Sequence, residues 1–197
     1  MQSVLVYLHG FNSSPQSLKA LQMAEYCAAH RPDIQLVMPQ LPSYPNDAAE
    51  YLTQLMDSLK DGDNKVGLVG SSLGGYLCTW LSERFDVPAV LVNPAVKPYE
   101  LLVDYLGSQQ NPYSGEEYVL VPEHMAQLQQ LDVETITHPE RLWVLLQEAD
   151  EVLDYRQAVT KYAQSKLTIE PNGDHSFVNF ERFPAAIIQF LDLQHRQ

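Results

Sequence analysis

The stretch Gly70-Ser71-Ser72-Leu73-Gly74 lies between two apolar segments of different character. The segment before it, residues 65–69, is short and predicts a buried strand, and the segment after it, residues 75–81, predicts a helix. A serine flanked by glycines between a strand and a helix predicts a sharp turn, because small residues let the two elements approach. Ser72 is therefore the candidate nucleophile, and Ser71 occupies the variable position. The alternative is a glycine-rich turn whose serine has no chemical role.

The composition predicts an ordinary globular protein. The 197 residues are 45% hydrophobic and 19% charged, which predicts one domain, residues 1–197, with a substantial core. No apolar run approaches the ~20 residues that span a membrane, and the strand expected from residue 4 leaves no room for a signal peptide. We therefore expect a cytoplasmic protein with no membrane association. Cys27 and Cys78 lie in predicted helices and are expected to be reduced and buried.

The charge balance limits the possible partners. The chain has 12 basic and 25 acidic residues, a formal net charge of −13. A negative field repels phosphate backbones, so we expect no nucleic-acid partner, and it weighs mildly against a highly anionic substrate. We expect no metal site, because four of the histidines lack the spacing of metal ligands: His30, His124, His138 and His195.

A second turn that suits chemistry follows the first predicted strand, residues 4–8. It begins with His9-Gly10-Phe11, and its glycine lets the loop aim a backbone N–H at an oxygen that gains charge. The candidate donors to such an oxyanion are the N–H groups of Phe11 and Leu73, the residue after the candidate nucleophile. His9 is expected to brace the loop or cap a helix rather than to act through its ring.

A carboxylate is needed to orient a catalytic histidine, and it is expected in the loop after the predicted strand 141–146. Four acids compete for this role: Glu148, Asp150, Glu151 and Asp154. Asp150 is preferred because it lies just past the end of the strand, from where an acid can reach inward. The other three are expected to be solvated loop charges.

His175 is the candidate general base. It lies in a glycine-containing loop after the last predicted strand, residues 167–169. The chain order Ser72, Asp150, His175 is the order in which one large class of hydrolytic folds presents these groups. Asp174 is not expected to orient His175, because neighbouring side chains generally diverge.

The fold class follows from strands that alternate with helices. Six strands are predicted: residues 4–8, 34–38, 65–69, 89–92, 141–146 and 167–169. This alternation predicts an α/β fold with a mainly parallel sheet and helices on both faces. Ligands bind at the C-terminal edge of such sheets, and the candidate residues all follow strand ends.

Local signals predict where two helices begin. Ser14 with Pro15 predicts an N-cap and first turn, and Asp47 with Glu50 resembles a capping box. The first of these helices is expected to bury four residues: Leu18, Leu21, Ala24 and Ala28.

Residues 96–137 are predicted to be irregular, because prolines and glycines interrupt them. Their position suits a cap-like insertion over a pocket. Tyrosines give a binding site apolar walls with polar tips, but they also pack irregular segments, and the sequence does not separate the two roles. Four lie here: Tyr99, Tyr105, Tyr113 and Tyr118.

Nearly the full chain resembles the α/β-hydrolases, and more narrowly the small bacterial YqiA/YcfP-type esterases. The resemblance rests on five stretches: Tyr7-Leu8-His9-Gly10-Phe11-Asn12-Ser13-Ser14-Pro15, Gly70-Ser71-Ser72-Leu73-Gly74-Gly75, Asn93-Pro94-Ala95, Asp150-Glu151-Val152 and Gly173-Asp174-His175-Ser176-Phe177. It implies a compact α/β-hydrolase core, esterase activity on small acyl esters without a cofactor, and a triad of Ser72, Asp150 and His175. Many hydrolases place a glycine shortly before the acid, whereas this chain has Gln147-Glu148-Ala149.

Two other functions fit the same motifs. An acyl-CoA thioesterase uses the same constellation on a different leaving group, although an acidic surface weighs slightly against coenzyme A. A non-catalytic binding protein of the same fold is expected to lack a triad element, and this sequence lacks none.

Overall fold

The computed structural model describes residues 1–193. These residues contain eight strands: β1 (Ser3–Leu8), β2 (Gln35–Val37), β3 (Lys65–Ser71), β4 (Ala89–Val92), β5 (Gly107–Gln110), β6 (Glu117–Leu120), β7 (Leu142–Gln147) and β8 (Lys166–Glu170). Six of them form one sheet in the order β2-β1-β3-β4-β7-β8, in which all neighbours are parallel. The direction of strand order reverses between β1 and β3, and such switch points open a crevice at the C-terminal edge.

Seven α-helices accompany the strands in the described part of the chain: α1 (Leu18–His30), α2 (Pro45–Asp61), α3 (Leu73–Phe85), α4 (Pro98–Leu101), α5 (Pro122–Gln129), α6 (Tyr155–Lys161) and α7 (Pro184–Phe190). No helix within residues 1–193 is both long and apolar enough to cross a bilayer. Cys27 on α1 and Cys78 on α3 are free thiols and buried.

The central strands are apolar on both faces because helices cover both. On β1, Val4 and Val6 pack with residues of α2, α3 and α6, whereas Leu5 and Tyr7 pack with residues of α1 and α7. Burial on two faces explains why these strands are continuous apolar runs rather than alternating ones. The predicted six-stranded parallel sheet with helices on both faces is confirmed.

The predicted start of the first helix is wrong. The helix begins at Leu18 after Ser17, while the Ser14 hydroxyl accepts a hydrogen bond from the Gln16 N–H at 2.9 Å in the preceding turn. The predicted buried face is wrong as well, because Leu18 is 66% exposed. The residues that α1 buries against the sheet are Ala20, Met23 and Cys27.

The capping box predicted at Asp47 and Glu50 is also wrong. The helix α2 begins two residues earlier, at Pro45, and Asp47 lies inside its first turn. Proline is well suited to the first helical position because its missing N–H would have no helical partner there. The carboxylate of Asp47, in the first turn of α2, still interacts favourably with the helix dipole.

The sequence predicted an irregular segment at residues 96–137, and this prediction is wrong in part. It contains α4, an antiparallel hairpin of β5 and β6, and α5. The hairpin escaped prediction because its strands are short and rich in polar residues, among them Gln109, Gln110 and Glu117, so no apolar run marks them.

Candidate active site

Ser72 occupies a sharp turn between β3 and α3. A Cβ atom on Gly70 would lie 2.2 Å from the Gly74 carbonyl oxygen, and one on Gly74 would lie 2.0 Å from the Leu8 carbonyl oxygen. Real Cβ atoms essentially never come so close to other atoms, so both positions require glycine. The two glycines therefore allow β3, α3 and the end of β1 to meet at Ser72.

The backbone of Ser72 has a conformation that side-chain-bearing residues rarely adopt, with φ of 56° and ψ of −117°. Such a conformation costs of order 1–3 kcal/mol and persists only when its surroundings hold it. Here the Ser72 N–H donates to the Val92 carbonyl, and the Ser72 carbonyl accepts from the N–H groups of Gly75 and Ala95, each at 3.0 Å. The Ser72 hydroxyl does not cap α3, although the residue precedes that helix.

The structure brings together the three side chains singled out in the sequence. The His175 Nε2 atom lies 3.1 Å from the Ser72 Oγ atom, and the His175 Nδ1 atom lies 2.8 Å from Asp150 Oδ2. The Asp150 carboxylate is only 2% exposed. A buried carboxylate that accepts a hydrogen bond from Nδ1–H keeps the proton on Nδ1 and leaves Nε2 free to accept the serine proton.

The loop after β7 holds Asp150 in place. Its Oδ1 atom accepts hydrogen bonds from the backbone N–H groups of Val152 and Leu153, each at 2.9 Å. The three competing acids have other contacts in the structure. Asp154 caps α6, Glu151 accepts the backbone N–H of His175 at 3.0 Å, and Glu148 lies 3.4 Å from the Tyr155 hydroxyl.

Two buried amide side chains hold the loop that carries His175. The sequence had indicated no role for either. The Asn93 Nδ2 atom donates to the carbonyl oxygens of Asp174 and His175 at 3.0 and 3.1 Å. The Gln147 Oε1 atom accepts the N–H groups of Asp174 and Val178 at 3.1 and 2.8 Å. The chain on both sides of the histidine is thus fixed by side chains from β7 and from the end of β4.

A signal for both residues exists in the sequence. Asn93 and Gln147 are only 2% and 3% exposed, and each stands at the C-terminal end of a continuous apolar strand. A polar residue that ends a buried strand must find hydrogen-bond partners in the adjoining loops. Gln147 also stands in the region where the resemblance had indicated a glycine.

His9 braces the loop that follows β1. Its Nε2 atom accepts the Leu41 N–H at 2.9 Å, so its Nδ1 atom carries the proton and donates to the Gly10 carbonyl at 2.8 Å. Burial lowers the pKa of His9, partly offset by the bond to Gly10. A neutral ring that links two loops agrees with the bracing role expected from the sequence.

The N–H groups of Phe11 and Leu73 donate no hydrogen bond to any other residue in the described part of the chain. Gly10 lies beside the serine, since a Cβ atom on it would be 3.4 Å from the Ser72 Cβ atom. Free backbone donors next to a nucleophile are suited to stabilising an oxyanion.

A cleft of about 460 Å³ opens over Ser72 and His175. The segment 96–137 supplies part of its wall, including Tyr105 and Tyr113. Tyr105 packs edge-on against Phe11, with ring centroids 5.4 Å apart. The other two tyrosines have different contacts: the Tyr99 hydroxyl donates to Asp132, and Tyr118 is buried and donates to Asn12.

Metal-ligating side chains do not converge here. Within residues 1–193, no group of three or more His, Cys, Asp or Glu side chains could hold a metal ion. Of the histidines considered in the sequence, His195 lies outside the described residues.

Comparison with known proteins agrees with this architecture. The model of an uncharacterised protein family, UPF0227, matches residues 4–192. The UPF0227 protein YcfP of Salmonella gallinarum is 26% identical over 185 residues, which cover 89% of this chain and 92% of that protein. The resemblance to YcfP-type proteins predicted from the sequence is confirmed.

Solved structures share the fold at low sequence identity. Mouse alpha/beta hydrolase domain-containing protein 10 superposes with a TM-score of 0.69 at 15% identity, over 96% of this chain and 89% of that one. The esterase Pf2001 of Pyrococcus furiosus superposes with a TM-score of 0.65 at 13% identity, over 97% and 80%. The fold is therefore that of the α/β-hydrolases.

Proposed function

The chain belongs to the UPF0227 family, and we propose that it is a serine hydrolase that cleaves carboxylic esters of small molecules. Ser72 is the nucleophile, His175 the general base and Asp150 the acid that orients the base. The observation that supports this most is the pair of contacts made by the His175 ring, 3.1 Å to the Ser72 Oγ atom and 2.8 Å to Asp150 Oδ2. Solved structures of this fold include an esterase, which favours the same reaction class.

The first half of the reaction forms an acyl-enzyme. His175 Nε2 takes the proton of the Ser72 hydroxyl as its oxygen attacks the ester carbonyl carbon. The N–H groups of Phe11 and Leu73 stabilise the negative charge on the carbonyl oxygen. The tetrahedral intermediate then breaks its bond to the alcohol, which leaves with the proton from His175. Asp150 stabilises the positive charge that His175 carries in between.

The second half releases the acid. A water molecule gives a proton to His175 and attacks the acyl carbon, and the bond to Ser72 breaks as the serine oxygen regains a proton. The two halves use the same residues and consume one water. No cofactor enters either half.

Labelling with a fluorophosphonate probe tests this proposal, because the probe reacts with activated serines. We expect the wild type and Ser71→Ala to be labelled and Ser72→Ala not to be. Ser71 is the matched control, since it is the adjacent serine in the same motif. Absence of labelling in the wild type, or labelling that survives Ser72→Ala, would contradict the proposal.

A panel of substrates then distinguishes esterase activity from thioesterase activity. We expect aryl esters of short acyl chains to be hydrolysed with higher kcat/KM than coenzyme A thioesters of the same acyl length. The net charge of −13 favours this order, because coenzyme A carries several phosphate charges. The opposite order would assign the thioesterase reaction.

A further inference from the structure

One cation lines the cleft and has no acidic partner at contact distance. Lys19, the second residue of α1, is partly buried and lines the same cleft as Ser72 and His175. Among the described residues that line this cleft, it is the one lysine or arginine. No carboxylate within residues 1–193 lies within 4 Å of its ammonium group.

The Lys19 ammonium group uses only part of its hydrogen-bonding capacity in the described part of the chain. An ammonium group has three N–H donors, and in the described part of the chain one of them meets the Ser176 carbonyl oxygen at 2.7 Å. The other two have no protein acceptor there, and Lys19 lines the open cleft. A desolvated ammonium with unused donors is stabilised by an anion that enters beside it.

Lys19 is also the exception in a chain that otherwise repels anions. The remaining charges near it are negative: Glu151 on the cleft wall, and Asp150 and Asp174, which act on Lys19 from the two loops beside His175. Asp150 and Glu151 are already engaged with the ring and the backbone of His175, and Asp174 accepts the Ser176 hydroxyl. These carboxylates keep their negative charges, so Lys19 is the group at this site whose charge attracts a ligand anion.

Resting on the function proposed above, we infer that Lys19 selects ester substrates that carry a second, negatively charged group, such as a carboxylate. The negatively charged group would accept hydrogen bonds from the two unused N–H groups of Lys19 while the ester group lies at Ser72. One charge-assisted pair is of the size that changes kcat/KM by roughly tenfold to a hundredfold. A single carboxylate also avoids the repulsion that a polyanion would meet from the acidic surface.

The protonation of Lys19 gives this selectivity a pH dependence. Burial lowers the pKa of Lys19 to about 8, and the charges of Asp174 and Asp150 oppose that shift. The ammonium form predominates at pH 7 and is lost as the pH rises through 8. A group that acts on charged and neutral esters alike cancels in the ratio of their kcat/KM values, so this ratio isolates the effect of Lys19.

The test compares two pairs of esters matched in length. The first pair is the p-nitrophenyl monoester of glutaric acid and p-nitrophenyl pentanoate, which place the charge on the acyl side. The second pair is the butyrate ester of a hydroxybenzoic acid and that of its methyl ester, which place it on the alcohol side. The measured quantity is the kcat/KM of the charged ester divided by that of the neutral one, for the wild type, Lys19→Met and Lys19→Arg.

We expect Lys19→Met to lower this ratio at least tenfold for one of the pairs, and Lys19→Arg to keep it. The wild-type ratio should fall as the pH rises from 7 to 9, and the Lys19→Arg ratio should not. Lys60→Met is the matched control, because it removes one exposed lysine of α2 and leaves the cleft intact; its ratio should equal that of the wild type.

An equal loss for both members of each pair in Lys19→Met would overturn the inference and make Lys19 a structural anchor of the Ser176 carbonyl. An unchanged ratio would overturn it too. The proposed function fails separately: it is contradicted if the wild type hydrolyses none of the neutral esters, whereas the inference alone fails if they are hydrolysed and the ratio does not respond.

Discussion

Replacing Gln147 with leucine removes four hydrogen bonds without creating a large cavity, since the two side chains are similar in size. The Gln147 Oε1 atom accepts the N–H groups of Asp174 and Val178, and its Nε2 atom donates to the Val178 carbonyl at 2.9 Å and to Glu170 Oε1 at 3.1 Å. Three of these bonds tie the last residue of β7 to both sides of His175, and the fourth ties it to the end of β8.

The magnitude follows from the number of bonds. A protein hydrogen bond contributes about 1 kcal/mol net, and the bond to the partly exposed Glu170 carboxylate contributes less than its charge suggests. We therefore expect the free energy of unfolding to fall by about 3 kcal/mol. For a chain of this size, that corresponds to a melting temperature lower by roughly 6–12 °C.

The loss of these bonds should also slow the reaction of Ser72. A loop that no longer holds His175 within hydrogen-bond distance of Ser72 reduces the rate of fluorophosphonate labelling, and a misplacement of 1 Å costs about a hundredfold in comparable cases. The assay is therefore thermal unfolding together with labelling kinetics, measured well below the melting temperature of the variant.

Gln54→Leu is the matched control, because Gln54 is exposed on α2 and its side chain bonds only to Glu50, at 3.3 Å, in the described part of the chain. We expect it to change neither measurement. The reasoning is refuted if Gln147→Leu melts within about 2 °C of the wild type and is labelled at the same rate.

Three further predictions follow from the geometry. Asp150→Asn keeps the shape of the buried carboxylate but lets the ring adopt the wrong tautomer, so labelling of Ser72 should slow by about three to four orders of magnitude; Asp154→Asn, at the exposed cap of α6, is the control, and a loss below tenfold for Asp150→Asn would argue against its role. Gly70→Ala would place a Cβ atom 2.2 Å from the Gly74 carbonyl oxygen and should prevent folding or cost more than about 3 kcal/mol. Gly115→Ala, whose Cβ atom would have open space despite a φ of 75°, should cost only about 1–2 kcal/mol, and equal losses in urea unfolding would contradict the steric argument. The pKa of His9 lies below its ordinary value of 6.5, so the unfolded chain takes up a proton at this residue before the folded chain does. The free energy of unfolding should accordingly fall as the pH drops below 6.5, and more steeply in the wild type than in His9→Gln; parallel pH profiles of the two would contradict this.

The parts of the fold that sequence predicted well are those determined by local chemistry. The strand β4 was predicted with its observed bounds, because four apolar residues lie between Pro88 and Asn93. The turn at Ser72 was foreseen because its glycines are a steric requirement of a strand that meets a helix at close range. In both places, residues adjacent in the chain carry the information.

The features that the sequence did not predict depend on which helices and strands become neighbours in the fold. Gln147 can hold the loop of His175 only because β7 and β8 are adjacent in the sheet, and no local pattern states this. The face of α1 was predicted wrongly for a similar reason. Leu18 lies on the wall of the cleft, whereas the smaller Ala20 faces the sheet, so hydrophobicity alone did not identify the buried side.

The hydrogen bond between Ser72 and His175 joins residues that are 103 positions apart, and His175 follows the last strand of the sheet. A ribosome synthesising this protein therefore completes Ser72, its turn and both proposed oxyanion donors long before it adds His175. Under the proposed function, a nascent polypeptide that has not yet reached His175 carries Ser72 without its general base. If Ser72 has the proposed role, its reactivity reports that synthesis and folding have passed His175.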